Sequence, residues 1–168
     1  MDAEATKASF EASRKALGLA PNATQSERDY IAAMSVRYTD KPDAVRADLD
    51  KAYSDAMRDL AKKYPDDDDE QTLFAESLMN LRPWQLWAKD GTPSDVTPEV
   101  LQTLEKVLAR NPQHIGAIHY YIHSTEASPN PEKAEPHADR LGKLIPGAGH
   151  MVHMPAHVYI RTGRYDDG

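Results

Sequence analysis

Four of the seven histidines occur as two copies of one spacing. His119 and His123 are four residues apart, and 34 residues further on His153 and His157 repeat the same interval. Residues four apart in a helix lie on one face, so each pair presents two imidazoles together. The chain has no cysteine, and a transition-metal site in it must therefore use histidine and carboxylate ligands. The pattern predicts a divalent transition-metal site, with zinc, copper or iron as the candidate ions.

The elements that must position these rings are helices. Apolar residues recur with helical spacing along the whole chain, and no segment shows sustained strand alternation. The connections are short, as between helices that pack antiparallel. The fold class predicted is all-α, with helices at 3–19, 25–38, 43–63, 69–81, 98–110, 113–126, 131–144 and 150–162.

Several helix starts carry their own signals. Thr24 with Glu27 is typical of a capping box, while Thr97 and Asn130, each followed by proline, are typical of an N-cap. The acidic run 66–69 lacks the alternating ligands and the central glycine of a calcium loop. It is interpreted as a helix N-terminus, where negative charge is favourable.

Pro155 leaves the last helix open to two interpretations. It lies between His153 and His157 and has no N–H to donate to a helical hydrogen bond. The helix either continues through it or begins only near Met154. In the second case His150 and His153 would be loop residues.

The longest interruption, 82–96, holds both tryptophans, Trp84 and Trp87. It is predicted to be either a packed insertion or a binding loop. Packing is favoured, because the large apolar ring of a loop tryptophan usually buries itself.

A 34-residue step runs through the second half of the chain. Pro112 and Pro146 are 34 residues apart, which is the period of a tetratricopeptide repeat (TPR). The same step relates apolar or small positions that we expect to face a neighbouring helix: Val100 and Ala134, Leu104 and Ala138, Val107 and Leu141, Ile118 and Val152.

The final segment HVYIRTGRYDDG has Tyr159, Gly163 and Tyr165 at the spacing of this repeat. The segments AESLMNLRPWQLW, YYIHSTEASPNPEKA and PGAGHMVHMPAHVYIRTGRY resemble a family of bacterial TPR proteins. The resemblance implies an α-solenoid over one domain, 1–168, with the tryptophan loop as an insertion. Its approximate units are 1–40, 41–65, 66–112, 113–146 and an incomplete 147–168. It further implies a chain that is a fragment, or one that forms a homo-oligomer through its uncovered last repeat.

In TPR arrays the first helix of each pair lines a concave groove, so the resemblance implies that the paired histidines face this groove. His123 and His157 each lie the same distance after a proline, Pro112 and Pro146, and the same distance after Pro65 places Glu76 in one row with them. Glu126 lies one turn beyond His123. Glu76 and Glu126 are therefore candidate metal ligands beside the four histidines. The further groove-binding candidates are His150, Asn80, Tyr120 and Tyr159.

Three functions stay open at this point. The first is a binding protein that holds a peptide or protein segment in its groove and carries the histidine metal site. The second is a metal-dependent enzyme that uses a His/Glu site, and the third is a structural scaffold. A fourth interpretation, in which the histidines are only hydrogen-bonded groove or core residues, also stays open. No established catalytic motif is present in the sequence.

Composition excludes other classes of function. The formal net charge of −7, with basic residues interspersed among acidic ones, argues against nucleic acid. No apolar run approaches the roughly 18 residues of a membrane span, and no signal segment is present. We expect a soluble protein of the cytoplasm or the periplasm.

Overall fold

The computed structural model describes residues 3–41 and 43–168. Within these ranges the regular structure is helical and no β-strand occurs, which confirms the all-α prediction. The α-helices of the described residues are α1 (Ala3–Leu19), α2 (Gln25–Ser35), α3 (Arg46–Lys63), α4 (Asp68–Met79), α5 (Thr97–Arg110), α6 (Ile115–Thr125), α7 (Glu135–Leu144) and α8 (Gly149–Thr162). No helix in the described ranges combines the length and the apolar character needed to cross a membrane.

Two of the expected helix caps form. The Thr24 hydroxyl accepts from the Glu27 N–H at 3.3 Å, and the Glu27 carboxylate accepts from the Thr24 N–H at 2.7 Å, so the capping box at α2 is confirmed. Asp67 caps α4 by accepting from the Glu70 N–H at 3.0 Å. The acidic run thus begins a helix, as predicted.

The two other expected caps are wrong. α5 begins at Thr97 itself, and its N-cap, Val96, makes no side-chain bond to the helix. The Thr97 hydroxyl is instead buried and donates to the Leu86 carbonyl at 2.6 Å, which ties α5 to the preceding loop. Asn130 occupies the N-cap position of a 3₁₀ turn, Pro131–Ala134, which precedes α7, but its side chain makes no cap hydrogen bond.

The chain divides into two compact units. In the first, which ends at Leu81, α1 packs on α2, α2 on α3 and α3 on α4. Tyr53, Met57 and Leu78 are fully or almost fully buried there. In the second, Arg82–Gly168, α5 packs on α6, α6 on α7 and α7 on α8. α6 also contacts α8 directly, and this contact is the one that matters for the histidines.

The 34-residue step identifies the core of the second unit. Its members in α5, in the 3₁₀ turn and in α7 are at most 1% exposed: Val100, Leu104, Val107, Ala134, Ala138 and Leu141. The remaining pair fails, because Ile118 is buried whereas Val152 is 48% exposed. On α7, Gly142 faces Val152 without a side chain to cover it: a Cβ atom at Gly142 would lie 4.0 Å from the Cα atom of Val152.

The tryptophan loop is packed at one end only. Leu86 is buried, and the half-buried Trp87 donates its indole N–H to the Ser124 carbonyl of α6 at 2.7 Å. Trp84 is 90% exposed and has a positive φ of 61°. The prediction of packing therefore holds for Trp87 and is wrong for Trp84.

In the first unit, Asp29 of α2 connects to the end of α3. Its carboxylate accepts from the Lys63 ammonium, from the Tyr64 hydroxyl at 2.6 Å and from the Gln25 amide at 2.8 Å. These bonds, that from Lys63 above all, lower the pKa of Asp29 to about 2. A carboxyl group whose pKa is lowered in the folded state stabilises that state only where it is ionised.

Replacing Asp29 by Asn should destabilise the protein above about pH 5. The loss should fade as the pH falls from about 4, the pKa of an unfolded aspartate, to about 2. Urea unfolding of the wild type and Asp29→Asn between pH 7 and pH 2 measures this difference. Asp59→Asn, which removes an exposed pair with Lys62, should change little at any pH. A difference between wild type and Asp29→Asn that does not change with pH would contradict this account.

Candidate metal centre

α6 places two imidazoles side by side. Ile118 and Ile122 are fully buried and fix one face of the helix against the core. His119 and His123, each one residue further along the chain, lie half-buried on an adjacent face. Their ring centroids are 4.9 Å apart, as the i, i+4 spacing predicts.

α8 contributes three further histidines, and all of them are helical. The helix begins at Gly149 and runs through Pro155, so His150 and His153 do not lie in a loop. The buried Met154, Pro155 and Val158 anchor α8. The interpretation in which the helix starts near Met154 is therefore wrong.

The two helices meet at their histidines. The Nε2 atoms of His119 and His150 lie 3.1 Å apart. His119, His123 and His150 each present one ring nitrogen, and these nitrogens all lie within 4.8 Å of one another. Such a group can hold a metal ion.

The contact between the helices keeps the predicted pairing at one histidine of α6 and departs from it at the other. The 34-residue step places His119 beside His153, but the ring that reaches His119 is that of His150. His150, predicted to be a groove residue, is thus a candidate ligand. His123 and His157 do lie together, with ring centroids 5.6 Å apart, and His153 pairs with His157.

One carboxylate connects the two helices. Glu126, at the C-terminal end of α6, has its Oε1 atom 3.1 Å from Nδ1 of His123 and its Oε2 atom 2.5 Å from Nδ1 of His157. Burial raises the pKa of Glu126, but the hydrogen bonds and charges of these two imidazoles outweigh burial, so that its pKa lies below the ordinary value. The carboxylate is therefore ionised at neutral pH.

An ionised carboxylate fixes the tautomers of its partners. It can only accept, so His123 and His157 must each carry a hydrogen on Nδ1. In the neutral rings the lone pairs then lie on Nε2. Histidine ligands of metal ions are commonly oriented in this way by a carboxylate behind the ring.

His119 is neutral at physiological pH. Burial above all, together with charge repulsion from the neighbouring His123, His150 and His157, lowers the pKa of His119 to about 4. A neutral imidazole has the lone pair that a metal ion requires.

The remaining candidates of the second unit have different surroundings. The ring of Tyr120 lies 4.8 Å from that of His119. Tyr159 is 7% exposed, and its hydroxyl donates to Asp139 at 2.8 Å. Tyr120 thus lies beside the histidines, whereas the hydroxyl of Tyr159 is hydrogen-bonded to Asp139 of α7.

Glu76 and Asn80 belong to the first unit. The Asn80 amide donates to Oε1 of Glu76 at 2.7 Å, and the Arg37 guanidinium lies 3.4 Å from the same oxygen. The assignment of Glu76 as a ligand and of Asn80 as a groove residue stays a prediction.

One neighbour of the site was missed in the sequence. The exposed indole of Trp84 stands edge-on to the His123 ring, with centroids 6.2 Å apart and planes at 89°. The position depends on the positive φ of Trp84 and on the anchoring of the loop through Trp87. Nothing in the sequence indicates a positive φ at a tryptophan, a conformation that is uncommon outside glycine.

Comparison of the chain with protein-family models, with curated proteins and with solved structures gave no match. The resemblance to TPR proteins therefore stays a prediction.

Replacing Glu126 by Gln should weaken zinc binding by about 10- to 100-fold, the usual effect of removing a carboxylate behind a histidine ligand. The amide oxygen of glutamine can accept a hydrogen bond from one of the two Nδ1–H groups. The amide NH₂ group is itself a donor and cannot accept from the second Nδ1–H. Competition with a chelating indicator measures the affinity. Glu132→Gln, an exposed change on the 3₁₀ turn, is the matched control. Equal affinities of both variants would show that Glu126 does not orient the ligands.

Proposed function

We propose that the second unit binds a divalent transition-metal ion through His119, His123 and His150, and that the chain is a TPR-like binding protein. The observation that carries this proposal is the convergence of three ring nitrogens from two helices within 4.8 Å. The supporting carboxylate of Glu126 strengthens it.

Zinc is the ion that fits this donor set best. Two nitrogens bound to one zinc ion at about 2.0–2.1 Å are ~2.9–3.4 Å apart for bond angles of ~90–110°. The Nε2 atoms of His119 and His150, 3.1 Å apart, already have this separation. Three imidazoles leave a fourth position for water or a ligand, as in open zinc sites. Copper and iron also accept imidazole, whereas calcium and magnesium prefer oxygen.

The arrangement favours binding over hydrolysis. A catalytic zinc site needs a general base that can reach the metal-bound water. Both oxygens of Glu126 already accept from imidazoles, of His123 and of His157. Glu126 is therefore a positioning residue, and the open coordination position is proposed to receive a ligand group.

Two features support a TPR-like groove with a peptide or protein segment as partner. α6 and α8, one repeat apart, are in contact, and positions 34 residues apart in α5 and α7 are buried alike. Trp84 leaves a large apolar ring in solvent beside His123, and tryptophan is the residue most enriched among strong contacts of protein interfaces.

The metal assignment predicts the zinc content of protein prepared without an affinity histidine tag. The wild type should retain a tightly bound equivalent that the double variant His123→Ala/His150→Ala loses. His114→Asn should retain it, because His114 caps α6 through its Nδ1 atom and asparagine is a good N-cap. Elemental analysis after dialysis measures all three proteins. Zinc content that is equal in the wild type and the double variant would contradict the proposal.

The groove assignment predicts the effect of Trp84→Ala on peptide binding. Peptides selected from a random displayed library on the zinc-loaded wild type should lose at least tenfold in affinity for this variant. Tyr165→Ala is the matched control, since Tyr165 is 72% exposed but has no assigned role. Selected peptides that bind both variants as well as they bind the wild type would remove Trp84 from the partner surface.

A further inference from the structure

The histidine pair on α8 is not used by the metal site proposed above. The Nε2 atoms of His153 and His157 lie 3.0 Å apart, and their ring centroids are separated by 4.9 Å. This separation of the nitrogens also falls within the ~2.9–3.4 Å expected for two imidazoles on one ion. Two pairs of imidazoles, His119 with His150 and His153 with His157, therefore have the spacing of ligands.

Glu126 prepares this second pair as well. Its Oε2 atom takes the Nδ1 hydrogen of His157, so the lone pair of that ring lies on Nε2, the atom that faces His153. The same carboxylate does this for His123 through Oε1. One ionised group thus orients one imidazole in each of two adjacent groups.

We propose that His153 and His157 form a second divalent-metal position beside the first, so that the chain holds two ions with Glu126 between their ligand sets. This inference rests on the proposed function for the neighbouring ion, but its own ligands are different residues. The ion would be a borderline cation that accepts imidazole, such as Zn²⁺ or Cu²⁺.

The second position should be the weaker and the more open of the two. Only two protein ligands serve it, and His153 is exposed whereas His119 is half-buried. An ion there keeps at least two coordination positions for water or for oxygen atoms of a ligand. It also binds against the positive charge of the first ion, which the single carboxylate offsets only in part.

The test is calorimetric titration of the metal-free full chain with Zn²⁺. The wild type should take up two equivalents, the second at least tenfold weaker than the first. His153→Ala should take up one equivalent of Zn²⁺, with the affinity of the tighter wild-type site. His150→Ala should lose the tighter site or bind Zn²⁺ there more weakly. His114→Asn should retain both. His153 is exposed within α8 and alanine is a good helix former, so the fold should persist, which circular dichroism checks.

Each outcome decides between the two proposals. The wild type could bind only one equivalent of Zn²⁺, which His153→Ala keeps and His150→Ala loses. That result would overturn the second metal position and leave the first. Uptake of two equivalents of Zn²⁺ by His153→Ala would also overturn the second metal position. No uptake by the wild type would overturn both.

Electron paramagnetic resonance of the Cu²⁺-loaded chain supplies an independent readout. At two equivalents, spin coupling between neighbouring ions should broaden the wild-type spectrum and produce a half-field signal. His153→Ala at the same loading should show isolated copper. A wild-type spectrum of isolated ions at two bound equivalents would contradict a paired site.

Discussion

The arrangement of the histidines depends on the carboxylate of Glu126, which two imidazoles from different helices share. Burial opposes its charge, yet its pKa is lowered because His123 and His157 both donate to it. The charge in turn fixes which nitrogen of each ring is free. Without it the Nδ1 atoms of both rings would lose their acceptor, and each ring could turn to another rotamer or tautomer. Glu126 thus determines which ring nitrogens of His123 and His157 are available to a metal ion, although it would not itself touch the ion.

The helices around this carboxylate make it effective. The buried Ile118 and Ile122 hold α6, and the buried Met154 and Val158 hold α8, so the histidine faces of both helices are fixed by apolar packing. α8 continues through Pro155 without interruption. Rings on a packed helix lose little further freedom when an ion binds, and this preorganisation favours tight binding.

The sequence predicted the parts of this site that depend on local rules. The i, i+4 histidine pairs, the helices that carry them and the capping box at Thr24 all follow from helical geometry and backbone hydrogen bonding. The partner of His119 did not follow. His150 and His153 differ by three residues, about 4.5 Å along a helix. His123 keeps its predicted neighbour His157, so the choice between these two rings at His119 is decided by side-chain packing, which a repeat period does not specify.

The expectations about Thr97 and Trp84 failed for a related reason. A threonine before proline fits an N-cap, but the Thr97 side chain is fully buried and its hydroxyl donates to the Leu86 carbonyl. The place of Trp84 depends on a backbone conformation that its own side chain does not favour and that the anchored loop imposes. Where tertiary contacts compete with local preference, the pattern alone does not indicate the outcome.

The central claim is that α6 and α8 bind one ion tightly through imidazole. X-ray absorption spectroscopy of the full chain loaded with one equivalent of Zn²⁺ tests this most directly. We predict a nitrogen shell at about 2.0–2.1 Å with the outer-shell scattering of three imidazole rings. A shell of oxygen atoms without imidazole scattering would contradict the claim.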